Sequence, residues 1–328
     1  MKRNPEPKSR HPKTDHVTLC NMTKAKRQPR LWIFANRKMV QVNSALKKFL
    51  PWLGERANIV ADPDIESITR ENAADLPKAD MALVFGGDGT LLAQARKIVD
   101  QKVPIIGINF GKLGFLAEFT IDDLKKHWDE VTHLQCPVSQ RLLIELSVYD
   151  DTVPRWGNGT WKEYKPILRT VALNDVVVMA GPPYRMIDLD LAIDPKLHGS
   201  HTTQFSADGV IVSTPSGSTA YNLSAGGPII SPGIDAIGIT PLCPHSLAFR
   251  PIIVNAESNI WFHLMRANEG TTLVIDGQDS ISIQAGQQFL VRGYEHPLKL
   301  VQNPDITYWQ MLAKKLNWAA RPRRKEKR

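Results

Sequence analysis

The feature that most limits what this chain can fold into is a change of hydrophobic period near Cys136. Up to about Leu134, short apolar runs (31–35, 57–61, 81–85 and 103–108) alternate with amphipathic stretches (42–52, 91–100 and 121–134) whose apolar residues recur at three and four. Near-continuous apolar strands separated by helices predict an open, Rossmann-like parallel sheet covered on both faces. Beyond Cys136 strands follow one another with little helix between them: 142–148, 176–179, 186–194, 210–213, 252–254, 260–264, 273–275, 281–283 and 289–292. In the third of these, Ile187, Leu189, Leu191 and Ile193 keep the period of two that sends one face inward. Many short strands broken by Gly, Pro, Asn and Asp predict a β-sandwich-like second domain. The expected fold class is thus α/β plus all-β. The expected divisions are a basic arm (1–30), an α/β domain (31–135), a β-rich domain (136–301), a C-terminal helix (302–320) able to pack back on the first domain, and a basic tail (321–328).

Charge follows the same divisions. The 328 residues carry a formal +8, which invites a nucleic-acid reading. Residues 1–30, however, hold nine Lys/Arg against two acidic residues, and residues 321–328 hold six against one, so the body between them is net −4. Nucleic-acid contact is therefore expected only as nonspecific binding by the tails. Cys20, Cys136 and Cys243 are odd in number and far apart, with no metal-ligand spacing, which suits a reducing cytoplasm. No run approaches the ~20 apolar residues of a spanning helix, and no apolar stretch follows the basic start, so neither a membrane nor secretion is expected. His198 and His201 sit in a Gly/Ser turn without a third ligand, and no metal-binding residues are assigned.

Chemistry concentrates in a few polar blocks. Strand 81–85 runs into Gly86-Gly87-Asp88-Gly89-Thr90 and then a helix, which is a phosphate-cradling arrangement at the carboxyl end of a strand, with Thr90 expected as helix cap. Asp88 would repel bare phosphate, so its place there suits a hydroxyl, as acceptor or base, or a metal. Neither GxxxxGK[ST] nor a GxGxxG after a strand is present. A second glycine-rich turn, Gly107 to Phe115, follows the next strand. Asn174-Asp175 offers donors and acceptors suited to a ribose diol, and the Ser/Thr/Gly run from Ser206 to Pro228 is poor in core volume and rich in hydrogen-bond groups, as a polar ligand requires.

Taken in order, Gly86 to Leu92, Gly107 to Leu116, Leu173 to Val177, Asp208 to Pro228 and His296 to Val301 resemble the NAD kinase family, over about Leu31 to Trp318. The resemblance implies a nucleotide-binding first domain, an NAD-binding β-rich second domain, and transfer of the γ-phosphoryl group of ATP to the 2′-hydroxyl of the adenosine ribose of NAD. It implies Asp88 as general base, with Gly86, Gly87 and Thr90 at the phosphates. Substrate contacts would come from Asp88, Gly89, Asn174, Asp175, Arg185 (expected on the strand that includes 186–194), Ser206, Asp208, Thr219, Ala220, Tyr221, Asn222, Leu223, Ser224 and Gln278. It further implies Mg²⁺ carried by the ATP phosphates and a homo-dimer or homo-tetramer. The chain departs from the family in having Asp175 where Glu is usual, and Ser206 where some members carry a basic residue. A lipid (diacylglycerol- or sphingosine-type) kinase, which shares the first motif, and a non-catalytic NAD-binding regulator are the alternatives.

Overall fold

A computed structural model describes residues 27–318, apart from 112, 157–160, 196–201 and 247. Most of both basic arms, together with His198 and His201, therefore lies outside the described residues. Four parallel strands, β1 (Arg30–Ala35), β2 (Asn58–Ala61), β3 (Met81–Phe85) and β4 (Ile105–Ile108), build the first sheet. Alternation along them feeds two layers. Leu31, Ile33, Met81, Leu83, Phe85, Ile106 and Ile108 face helix α1 (Val40–Gly54), whose Val42, Leu46, Phe49 and Leu53 form a helical stripe. Trp32, Phe34, Ala82, Val84 and Ile105 face the other way, against Leu91, Leu92, Ala95 and Ile98 of α2 (Asp88–Ile98).

The stretch expected as one helix over 121–134 is two short helices, α3 (Ile121–Lys126) and α4 (Trp128–Thr132), parted at His127. Thr120 opens α3 with a reciprocal cap to Asp123, and Leu124, Trp128 and Val131 still reach the α1 layer.

The second region is a sandwich of two antiparallel six-stranded sheets. One runs β10-β9-β14-β17-β6-β7, with β6 (Ile144–Tyr149), β7 (Leu168–Ala172), β9 (Ile187–Ile193), β10 (Thr202–Ala207), β14 (Ile260–Arg266) and β17 (Gln288–Gly293). The other runs β13-β12-β11-β8-β15-β16, with β8 (Asp175–Met179), β11 (Gly209–Ser213), β12 (Ala236–Leu242), β13 (Ile252–Asn255), β15 (Thr272–Ile275) and β16 (Asp279–Ser282). Inward residues of both sheets share one core, in which Phe262 and Phe289 stack with centroids 4.9 Å apart.

Sheet membership cuts the chain differently from the boundaries expected at 136 and 301. Strands β5 (Val138–Arg141) and β18 (Leu298–Val301) pair into the first sheet, in the order β2-β1-β3-β4-β18-β5, with β18 parallel to β4 and antiparallel to β5. The closing helix α6 (Tyr308–Leu316) buries Met311 and Leu312, and Asn303 just before it bonds to Glu118 of the first region.

Candidate functional site

The strand β3 ends at Phe85, the chain turns through Gly86 and Gly87, and α2 begins at Asp88. Gly87, not Thr90, is the residue before the helix, and it supplies no side-chain cap, so the first N–H groups of α2 keep their capacity for an anion. Thr90 instead packs its side chain over Gly86, where a β-carbon would lie 2.5 Å from its hydroxyl oxygen. The Asp88 carboxylate faces the second glycine-rich turn and accepts three backbone N–H groups, from Phe115 at 2.7 Å on Oδ2 and from Leu116 and Ala117 at 3.1 and 2.9 Å on Oδ1. A carboxylate offers about four acceptor positions, so one direction on Oδ2 remains for a substrate hydroxyl. Gly114 makes room for this clamp: a β-carbon there would sit 1.8 Å from Asp88 Oδ1.

A second carboxylate joins the sandwich to α2. Asp276, in the left-handed turn between β15 and β16, accepts N–H groups from Leu173 on Oδ2 at 2.9 Å and from Asn174 and Asp175 on Oδ1 at 2.7 and 3.0 Å. Burial pushes its carboxyl upward against those N–H groups and against Arg96 of α2, whose Nη1 lies 3.7 Å from Oδ2. Arg96 also pairs with Asp279, and Gln278 Nε2 donates to Gly89 O at 2.8 Å. Asp88, Gly89, Asn174, Asp175 and Gln278 are brought together in this way. Asp175 is buried, and desolvation, with Asp276 nearby, pushes its carboxyl up to about 7. Such a group can donate or accept a hydrogen bond near neutrality.

The Ser/Thr/Gly run divides into two faces. Thr214 Oγ1 donates to Leu173 O at 2.5 Å, Ser218 Oγ donates to Pro215 O and accepts from Ile230 N, and Asn222 bonds Ser218 O, Pro228 O and Thr240. These three side chains are fully buried and committed to holding the turn. Thr219, Ala220 and Leu223 are half-buried, while Tyr221 and Ser224 are exposed. Gly217 lets the turn close on Asn174, whose carbonyl oxygen would lie 2.0 Å from a β-carbon.

Three expected residues lie elsewhere. Arg185 is not on the strand that contains 187–193; it precedes β9 in an exposed turn. Asp208 accepts the Ala180 N–H, and Ser206 bonds Asp188. Since β8 runs from Asp175 to Met179, the Asp208 carbonyl that bonds Ala180 lies past the opposite end of that strand, about 16 Å from Asp175, while Ser206 and Asp188 belong to the other sheet. A basic pair that the sequence reading passed over does lie at the first sheet's carboxyl edge: a cavity of about 270 Å³ is lined by Asn36, Arg37, Lys38, Asp64 and Glu66 among others, and Asn36 N donates to Phe85 O. The signal was available, since Arg37-Lys38 directly follows the first strand.

The family described as ATP-NAD kinase N-terminal domain matches residues 21–135, and the one described as ATP-NAD kinase C-terminal domain matches 173–303. A Geotalea daltonii protein named NAD kinase is 39% identical over 75% of this chain and 82% of its own length. One from Acidobacterium capsulatum, of the same name, is 36% identical over 89% and 99%. The crystal structure of yeast NADH kinase complexed with NADH superposes with a TM-score of 0.74 at 26% identity, covering 90% of this chain and 89% of that one. An Archaeoglobus fulgidus NAD kinase in complex with ATP shares the fold, with a TM-score of 0.60 at 23% identity, over 84% of this chain and 94% of that one.

The clamp on Asp88 is directly testable. Gly114→Ala is expected to speed hydrogen exchange at the Phe115, Leu116 and Ala117 amides by about tenfold or more, as charge-assisted bonds are lost, while leaving sandwich amides unchanged.

Proposed function

Because the chain belongs to the NAD kinase family, we propose that it transfers the γ-phosphoryl group of ATP to the 2′-hydroxyl of the adenosine ribose of NAD, forming NADP. The observation that carries this reading is the Asp88 carboxylate, clamped by three N–H groups and followed by Gly89, whose carbonyl accepts Gln278 from the turn that also holds Asn174-Asp175. The relatives support this activity over a lipid kinase or a non-catalytic binder.

Asp88 orients the ribose hydroxyl and accepts its proton as the new P–O bond forms. A carboxylate is too weak a base to ionise an alcohol beforehand, so positioning and electrostatics supply most of the rate. The N–H groups at Gly87 and the start of α2 receive the donor phosphates, with Gly86, whose own N–H is bonded to Ile108 O, shaping the turn, and Arg37 and Lys38 at the adjoining cavity. Arg37 is paired with Asp62 and Lys38 with Glu66, so both heads are already poised at that edge. Asn174 and Asp175, whose side chains make no hydrogen bond among the described residues, hold the ribose or nicotinamide end together with Gly89, Gln278 and Thr219 to Ser224. Mg²⁺ fits this donor set as a passenger of ATP: no group of three or more His, Cys, Asp or Glu able to hold an ion occurs among the described residues. Bound there, it would neutralise charge on the triphosphate.

The distance separating Asp208 from Asp175 supports a homo-dimer or homo-tetramer, in which a second copy brings Asp208, with Ser206 and Arg185, to the NAD. Among the described residues no helix is long and apolar enough to cross a membrane, and a cytoplasmic location suits the substrates.

In an assay of NADP formation from NAD and MgATP, Asp88→Asn is expected to keep NAD affinity within a few-fold and to lower kcat by about a thousandfold. Retained turnover would remove Asp88 as the base. Arg37→Ala with Lys38→Ala should raise the KM for ATP by about tenfold and leave that for NAD unchanged. Mixed and refolded together, inactive Asp88→Asn and weakened Arg185→Ala chains should recover activity above the sum of the two alone, because hybrid sites pair an intact Asp88 with an intact Arg185. No recovery would show that each chain acts by itself.

A further inference from the structure

Behind the clamp lies a buried charged cluster that the proposed reaction does not use. Glu118 follows Ala117 directly, so its backbone continues the segment that holds Asp88. Its side chain is buried, and Oε2 accepts the Asn303 N–H at 3.1 Å while Asn303 Nδ2 donates to the Glu118 carbonyl at 3.3 Å. Arg141, at the end of β5, is 3% exposed, and its Nε has no hydrogen-bond partner. The Tyr308 hydroxyl, at the first position of α6, is also buried without a partner. The charged and titratable groups that meet here are Asp88 from α2, Glu118 from the clamp segment, Arg141 from β5 and Tyr308 from α6.

A guanidinium so deeply buried, with its Nε unpartnered, is costly, and an ionised Glu118 is the nearby charge that offsets it. Resting on the kinase reading above, we propose that Glu118 is a positioning residue for phosphoryl transfer: its negative charge, set against Arg141, holds the 115–117 clamp and favours arrival of the ribose proton on Asp88.

The electrostatics give the direction. Glu118 and Asp88 repel each other when both are ionised, and proton transfer from the ribose to Asp88 relieves that repulsion. Once Glu118 is protonated, the benefit is gone. Burial pushes the Glu118 carboxyl up to about 7, with Asp88 adding to the rise and the Asn303 N–H and Arg141 opposing it. The kinase should therefore show an acid limb in kcat near neutral pH, with activity rising as Glu118 ionises.

The test is kcat at saturating NAD and MgATP from pH 5.5 to 9, on the full chain. Glu118→Gln keeps the acceptor for Asn303; it should lower kcat about tenfold at pH 8, converge with the unsubstituted protein at low pH, and lose the limb, with both KM values unchanged. Arg141→Met, which removes the cation holding Glu118 down, should move the limb to higher pH. Tyr308→Phe should leave kcat unchanged. Asp175 also titrates near neutrality, but it faces NAD, so its effect should appear in kcat/KM for NAD and survive Glu118→Gln. An unaltered limb in both Glu118→Gln and Arg141→Met would overturn the proposal. Absence of NADP formation by the unsubstituted chain would instead overturn the kinase reading on which it rests.

Discussion

Two carboxylates, each collecting three backbone N–H groups from a neighbouring segment, hold the site together. Asp276 does so across the junction between regions: it fixes the entry to β8, and Arg96 ties it to α2. With its side chain wholly buried, this carboxylate would cost several kcal/mol if left unpartnered. Its three N–H donors and one guanidinium offset that cost. The geometry is narrow, because a residue at a positive φ must aim a short side chain at three consecutive amides. Asp88 repeats the device on the clamp segment, and Gln278 links the two through Gly89. Each carboxylate thus holds a segment of three residues rather than a single contact.

The parallel sheet and the sandwich were legible in the sequence because their signals are local. Apolar runs such as Met81–Phe85 are buried on both faces, and Ile187, Leu189 and Leu191 face the sandwich core as read, although Asp190 and Ala192 on the opposite face are buried as well. What was not legible depended on distant partners. Residues 298–301 fall at the end of the β-rich region expected over 136–301, yet they pair beside β4, and a strand's own residues do not say which sheet it joins. Trp156 sits beside Gly157-Asn158-Gly159 with no local apolar pattern to mark it, yet its ring lies 6.3 Å from Trp261 in a small outer core. Thr90 looked like a helix cap by composition, while the bend actually places Gly87 there.

The polar block from Ser206 to Pro228 shows the same limit in the site. Its hydroxyls and amides suggested a ligand shell, and composition cannot separate side chains that hold a turn from those that face outward. Asn222, Ser218 and Thr214 satisfy buried backbone groups and one another, whereas Tyr221 and Ser224 remain exposed. The rigid inner half is what allows the outer half to present fixed positions. In a similar way, Asp175 is held by backbone bonds to Asp276 while its own carboxylate stays uncommitted, which leaves a titratable group on a rigid support.

The position of β18 bears on how the protein comes to exist. It sits between β4 and β5, an interior place in the first sheet, although every strand of the sandwich precedes it in the chain. Until Val301 leaves the ribosome, β4 presents an unpaired edge, and the carboxyl half of that sheet cannot close. Sheet closure is therefore set by long-range pairing and waits on the whole sandwich, and until then the nascent chain carries an open β-edge able to pair with other chains. A truncation removing only the last strand and helix would strike the beginning of the chain as hard as its end.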